Sequence, residues 1–186
     1  MESALPDQPS ESVLVARAIQ RDREAFTRLY DRCVDQIYRH VYYKVSNHAD
    51  AEDITQETFV KAWKAIDRYR QTESPFAAWL ITIARNLIVD HYKKRPNLVN
   101  LDDLADHLPA HPSTDPEKIA EAAYSQEVIK RAVLKLKGDQ QQVIMMRFID
   151  GFSYEEIARA LNKSQGAVRV IQFRALNELK KWLKRD

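Results

Sequence analysis

Apolar residues in this chain return every three or four positions, segment after segment, and no stretch alternates in twos. That period is the helical one, so the chain reads as all-α. Between residues 26 and 45 the apolar set is Phe26, Leu29, Tyr30, Cys33, Ile37, Val41 and Val45. Residues 49–67 carry Ala51, Ile54, Thr58, Ala62 and Ile66 on one face. Residues 76–91 are cleaner still: Phe76, Trp79, Leu80, Ile83, Ala84, Leu87, Ile88 and His91 follow alternating steps of three and one. Ser74 suits a cap for that helix and Pro75 its first turn, while Pro96 helps end its basic tail. A weaker helix is expected at about 12–21, from Val13, Leu14 and Ala18.

The pattern breaks between 96 and 115, where Pro96, Pro109 and Pro112 punctuate a polar stretch. A run of ~20 residues without structure is unusual inside one compact domain, so a boundary belongs here. Helical spacing resumes with Pro116 and runs through Ile119, Ala122, Ala123, Ile129, Ala132, Val133 and Leu136, with Gly138 expected to end it. A further helix covers 139–149 and Gly151 stops it. Ser153-x-x-Glu156 then forms a capping box for a helix to about Leu161. Asn162-Lys163 make a turn, Ser164 is a second cap, and a last helix runs to about Leu183. The expected organisation is therefore a disordered N-terminus over 1–11, a helical domain over 12–95, a flexible acidic linker over 96–115 and a second small helical domain over 116–186.

Composition narrows the function classes. Three glycines argue against Gly-rich phosphate loops, and a single cysteine, Cys33, excludes an internal disulfide or a Cys-based zinc cage. Cys33 lies on an apolar stripe, which fits packing, with redox sensing the alternative. No apolar run nears the ~20 residues of a membrane span. MESALPDQPSES lacks the basic start and apolar core of a signal peptide, so a soluble protein of the cytoplasm is expected, with no membrane insertion. The net charge of +2 says little, but its distribution says more. Residues 85–95 hold Arg85, Lys93, Lys94 and Arg95 against Asp90. Residues 97–126 hold six acids against Lys118, and residues 161–186 hold seven bases against two acids. Two basic blocks separated by an acidic one point to two polyanion-binding faces.

The segment SYEEIARALNKSQGAVRVIQFR, 153–174, has the spacing of a helix-turn-helix. Ala158 is small where two helices cross, Asn162 tolerates the left-handed backbone of the turn, and Val168 closes the little core with Ile157, Leu161 and Ile171. The outward set on the second helix is then Gln165, Arg169, Val170, Phe173 and Arg174. Such positions read base edges in a major groove, with arginines suited to guanine edges or phosphates. A plain helical hairpin with a charged surface is the competing reading.

Two further surfaces stand out. Over 69–95, Tyr69, Phe76 and Trp79 interleave with Arg68, Arg70, Arg85, Asn86 and the HYKKR run, as suits single-stranded nucleic acid. A core role for Phe76 and Trp79 is the bland alternative. DAEDITQETF places Asp50, Glu52, Asp53 and Glu57 around Gln56 at a helix start. Acids there suit the helix dipole, and equally suit a protein partner.

These pieces in this order resemble the extracytoplasmic-function sigma factors, a class of bacterial RNA polymerase sigma subunits. The likeness covers about 12–184 and rests on AFTRLYDR, DAEDITQETFVKAWKAI, PFAAWLITIARNLIVDHYKKR, the Gln-Gln run before VIMMRF, GFSYEEIARALNKSQGAVRV and FRAL. It implies a region 2 helical bundle, a region 4 helix-turn-helix and no enzymatic activity. Asp50, Glu52, Asp53, Gln56 and Glu57 would dock on the polymerase clamp helices, with Phe59 and Trp63 supporting packing, and the second domain would meet the flap region. Gln71, Thr72, Glu73, Ser74, Phe76, Arg85, Asn86, Lys93 and Lys94 would read and melt the −10 element. Gln165, Arg169, Val170, Phe173 and Arg174 would read the −35 element. An anti-sigma partner is implied, and so is freedom between the domains when unbound. No cofactor or metal is expected. The family often has Thr-Val-Lys-Ser-Arg where this chain has Ala167-Val168-Arg169-Val170-Ile171, which leaves its −35 sequence open.

Other classes fit less well. A stand-alone helix-turn-helix regulator needs a dimer surface, and no heptad seam is present. A metal-dependent hydrolase built on the acidic cluster usually needs a Glu-x-x-His, and the sequence has none; His107 and His111 lie in the linker without paired ligands.

Overall fold

The computed structural model describes residues 9–70, 74–94 and 116–184. Eight α-helices account for them: α1 Glu11–Ile19, α2 Arg23–Val45, α3 His48–Ala65, α4 Phe76–Lys94, α5 Pro116–Lys135, α6 Gly138–Phe148, α7 Tyr154–Ala160 and α8 Gln165–Trp182. There is no strand among the described residues. The expected linker lies outside them.

Local sequence explains where most helices begin. Ser10, Asp22 and Asn47 each accept a backbone N–H three residues on, capping α1, α2 and α3. The start of α4 is met differently: Glu11 of α1 accepts the N–H of Phe76 at 2.9 Å. That cap comes from 65 residues away, and nothing in the sequence around Phe76 foretells it. Gly138 has φ +47 and opens α6, whereas the sequence suggested that it closes α5. Helix α5 has already stopped at Lys135.

Helices α1 to α4 form a bundle around Leu14, Leu29, Ile37, Ile54, Ile66, Phe76, Leu80 and Ile81, all buried. Every member of the expected α3 face, Ala51, Ile54, Thr58, Ala62 and Ile66, is buried. Cys33 is buried too, and burial pushes its thiol up to about 12 with the Glu11 charge assisting, which suits a packing residue and not a reactive one.

Helix α6 is buried on two sides. Val143 and Met146 join the core of the first bundle, together with Phe152, Ile157, Ala158 and Val168. Ile144 and Met145 join a second core with Ala132, Val133, Leu136, Ala175 and Leu179. Ile129, expected on the α5 stripe, is exposed instead. Each fully buried methionine or leucine stabilises by about 1.5–3 kcal/mol, so a helix shared by both cores is a strong coupling between them.

The two halves are thus packed together, in place of the interdomain freedom inferred from sequence. Helix α4 lies against α7. Gln36 donates to the carbonyl of Asp150 at 3.0 Å, His40 meets the Asp150 carboxylate, and Lys44 donates to Gln141. Gln36, His40 and Lys44 are spaced by four, so one stripe of α2 carries all three contacts.

Candidate nucleic-acid interface

The helix-turn-helix is built from α7 and α8. Both bonds of the capping box are made: Ser153 N–H donates to Glu156 Oε2 at 2.7 Å, and Glu156 N–H donates to Ser153 Oγ at 3.2 Å. Asn162 holds φ +51, the left-handed turn expected of it, and Lys163 N–H donates to the Ala158 carbonyl at 2.8 Å. Ser164 Oγ then accepts from Ala167 N–H at 3.1 Å and starts α8. Val168, Ala175 and Leu179 face inward. Gln165, Arg169, Val170, Phe173 and Arg174 are all exposed, as an outward-reading face requires. Val170 and Phe173, 48% and 66% exposed, put two apolar side chains on this open face.

Helix α4 divides its expected residues. Asn86, Lys93 and Lys94 are exposed and Arg85 is half-buried. Lys93 leans toward Asp90 at 4.0 Å. Ser74 is half-buried, and Gln71, Thr72 and Glu73 lie outside the described residues. Phe76 does not belong with the nucleic-acid contacts. It is 1% exposed, its ring meeting Phe26, Tyr69 and Trp79 with centroids 5.4–6.4 Å apart. Its place in the α4 stripe is a core place, as the bland reading held. Trp79 is half-buried against Tyr69 at 4.7 Å.

On α3, Glu52, Asp53, Gln56 and Glu57 are exposed, while Asp50 is half-buried with His91 of α4 at 3.6 Å. Asp50, Asp53 and Glu57 share a groove with Leu87, Asp90 and Lys94 of α4. The acidic face therefore abuts the C-terminal end of the basic helix. Phe59 and Trp63 point into the bundle, against Tyr30 at 4.6 Å and Phe26 at 4.9 Å.

Comparison with known proteins identifies the arrangement. Residues 29–97 match Sigma-70 region 2, and residues 129–181 match Sigma-70 region 4. The ECF RNA polymerase sigma factor SigW of Bacillus subtilis is 30% identical over 88% of this chain and 91% of its own length. The chain belongs to the extracytoplasmic-function sigma factors. The BldN sigma factor of Streptomyces coelicolor is 39% identical over 93% of this chain, which spans 66% of BldN. Among solved structures, the sigma factor RpoE of Bartonella quintana, in complex with the anti-sigma factor NepR, superposes with a TM-score of 0.61. Its identity is 28%, over 87% of this chain and 98% of that one. A sigma factor is an initiation factor, not an enzyme; it gives RNA polymerase its promoter specificity. Among the described residues no helix is long and apolar enough to cross a membrane.

Sequence reasoning missed three residues that the sigma-factor fold brings into play. His40 and Asp150 meet only across the two halves. Tyr154, next to the cap Ser153, lies under the guanidinium of Arg169. Neither pairing falls at a helical spacing, so no periodicity signals it.

Proposed function

We propose that this sigma factor works in the cytoplasm, docking on the clamp helices of core RNA polymerase through Asp50, Glu52, Asp53, Gln56 and Glu57. Residues 12–95 then serve as region 2, 96–115 as the linker and 116–186 as region 4, which also meets the flap. Region 2 engages the −10 element through Gln71, Thr72, Glu73, Ser74, Arg85, Asn86, Lys93 and Lys94. Region 4 reads the −35 element from Gln165, Arg169, Val170, Phe173 and Arg174. The observation that carries this reading is the α8 face: Gln165, Arg169, Val170, Phe173 and Arg174 are open to solvent while Val168, Ala175 and Leu179 behind them are buried.

Strand opening costs about 1.4 kcal/mol per stacked step. Captured non-template bases offset it at about 1–3 kcal/mol each when they stack on protein. A linker of about twenty residues spans at most roughly 65–70 Å, about two turns of duplex at about 34 Å each. That length bridges two promoter elements. An anti-sigma partner, of the kind that holds the Bartonella protein, controls access to these surfaces.

Run-off transcription with core polymerase on a library of promoter fragments tests the proposal. The expected result is starts that depend on this protein and share two elements at a fixed spacing. Absence of starts, with footprinting of a palindrome by the protein alone, overturns it in favour of a stand-alone regulator.

A further inference from the structure

The guanidinium carbon of Arg169 sits 4.9 Å from the centroid of the Tyr154 ring, within cation–π range. Tyr154 is the first residue of α7 and is itself fixed. Its helix start is locked by the two-way Ser153–Glu156 cap, and the ring is half-buried against the core that α7 and α8 share. Arg147 also approaches this ring, at 5.1 Å, but it donates to the Phe152 carbonyl at 2.9 Å and so belongs to the scaffold.

The nature of the hold matters. The two acids that follow Tyr154 are engaged elsewhere: Glu155 binds Arg159, and Glu156 closes the cap. Arg169 makes no ion pair among the described residues. A carboxylate takes guanidinium N–H groups and cancels charge, whereas an aromatic face restrains the same group and leaves its five donors free. The exposed guanidinium of Arg169 is therefore held and unspent, which is the condition for bidentate recognition of a guanine edge. Arg174, about one and a half turns further along α8 and also exposed, has no ring beneath it among the described residues. A cation that is free to reorient suits a phosphate oxygen, which makes no demand on planar geometry.

We propose that Tyr154 is a positioning residue that aims Arg169 at a guanine of the −35 element, and that Arg174 contacts the phosphate backbone. This rests on the reading of α8 as the −35 helix, and it adds which arginine specifies sequence and what orients it.

The test is transcription by the reconstituted holoenzyme from a template pool randomised over the upstream element, with base preference read by sequencing the transcribed templates. Four variants of the full chain are compared with wild type: R169A, Y154L, Y154F and R174A. R169A is expected to abolish preference for guanine at one position, and Y154L to weaken the same preference roughly two- to fivefold, the range of an exposed cation–π contact. Y154F keeps the ring and is expected to retain the preference. R174A is expected to lower transcription across all templates alike and to shorten the salt slope by about one. Preference is a ratio among templates, so a loss of folded protein in Y154L cancels from it. If R169A relaxes a position and Y154L does not, Tyr154 is no positioning residue although α8 still reads DNA. If neither R169A nor R174A changes anything, the reading of α8 itself fails. A base preference lost in R174A and kept in R169A overturns the division of roles.

Discussion

Nδ1 of His40 lies 2.8 Å from Oδ2 of Asp150, across 110 residues of sequence, with both side chains fully buried. One belongs to α2 of the first bundle and the other to the loop after α6. Each keeps one further buried polar atom, His40 Nε2 and Asp150 Oδ1, without a hydrogen bond among the described residues. Such a pair adds little net stability but defines register, because either partner alone is expensive to bury.

Removing one partner is therefore expected to loosen the packing of the halves and populate an opened form. Asp150→Ala leaves His40 buried and unpaired, a cost of about 1–3 kcal/mol that opening relieves. The radius of gyration from small-angle scattering is expected to rise while helix content by circular dichroism stays unchanged. Leucine at both positions is expected to restore the compact form. A wild-type scattering profile for Asp150→Ala would show that the pair is not a latch.

Lys44, one turn further along the same stripe, gives a pH dependence. Burial, with the nearby Arg85 charge adding to it, pushes its ammonium down to about 8, from 10.5. Between those values the unfolded chain binds more protons than the folded one, so stability rises with pH from about 8 toward 10.5. Below about 8 the buried ammonium is charged and its full penalty applies. Urea unfolding midpoints at pH 7 and pH 9 are expected to show a larger gain in wild type than in Lys44→Met. Equal gains in the two proteins would remove Lys44 as the cause.

The acidic face is expected to matter for assembly and not for folding. Asp53 and Glu57 are exposed, and Glu57 pairs with Lys61 on the surface at 3.3 Å. Changing Asp50, Asp53 and Glu57 together to amides is expected to weaken core polymerase binding by roughly tenfold, since exposed charge contacts contribute about 0.2–1 kcal/mol each. Thermal melting is expected to move little. Unaltered core affinity in a pull-down titration would reduce the patch to a solvated helix start.

Ser153→Ala removes one half of the capping box and is expected to cost about 1 kcal/mol of stability. The loss falls on α7, a helix of seven residues with few bonds of its own. Differential scanning calorimetry measures the first effect. Reduced use of promoters that depend on the upstream element measures the second, because α7 supports α8. Ser164→Ala is expected to behave alike, through the Ala167 N–H it leaves without its side-chain acceptor.

Periodicity and caps are local properties, and the sequence alone determined what they govern: the all-α class, the helices to within a few residues, the buried face of α3, the left-handed Asn162 and the exposed face of α8. Each follows from contacts within a turn or two of the residue concerned. The α4 stripe was legible as apolar, yet its aromatic members were ambiguous, because burial and stacking on a base both ask for a ring. Only the tertiary structure decided that Phe76 belongs to the core. It also decided that Glu11 caps α4, that α6 is shared by two cores, that His40 meets Asp150, and that Tyr154 lies beneath Arg169. The partners in the cap, the buried pair and the cation–π contact are 15 or more residues apart. Their meeting depends on how whole helices pack, which no local spacing encodes.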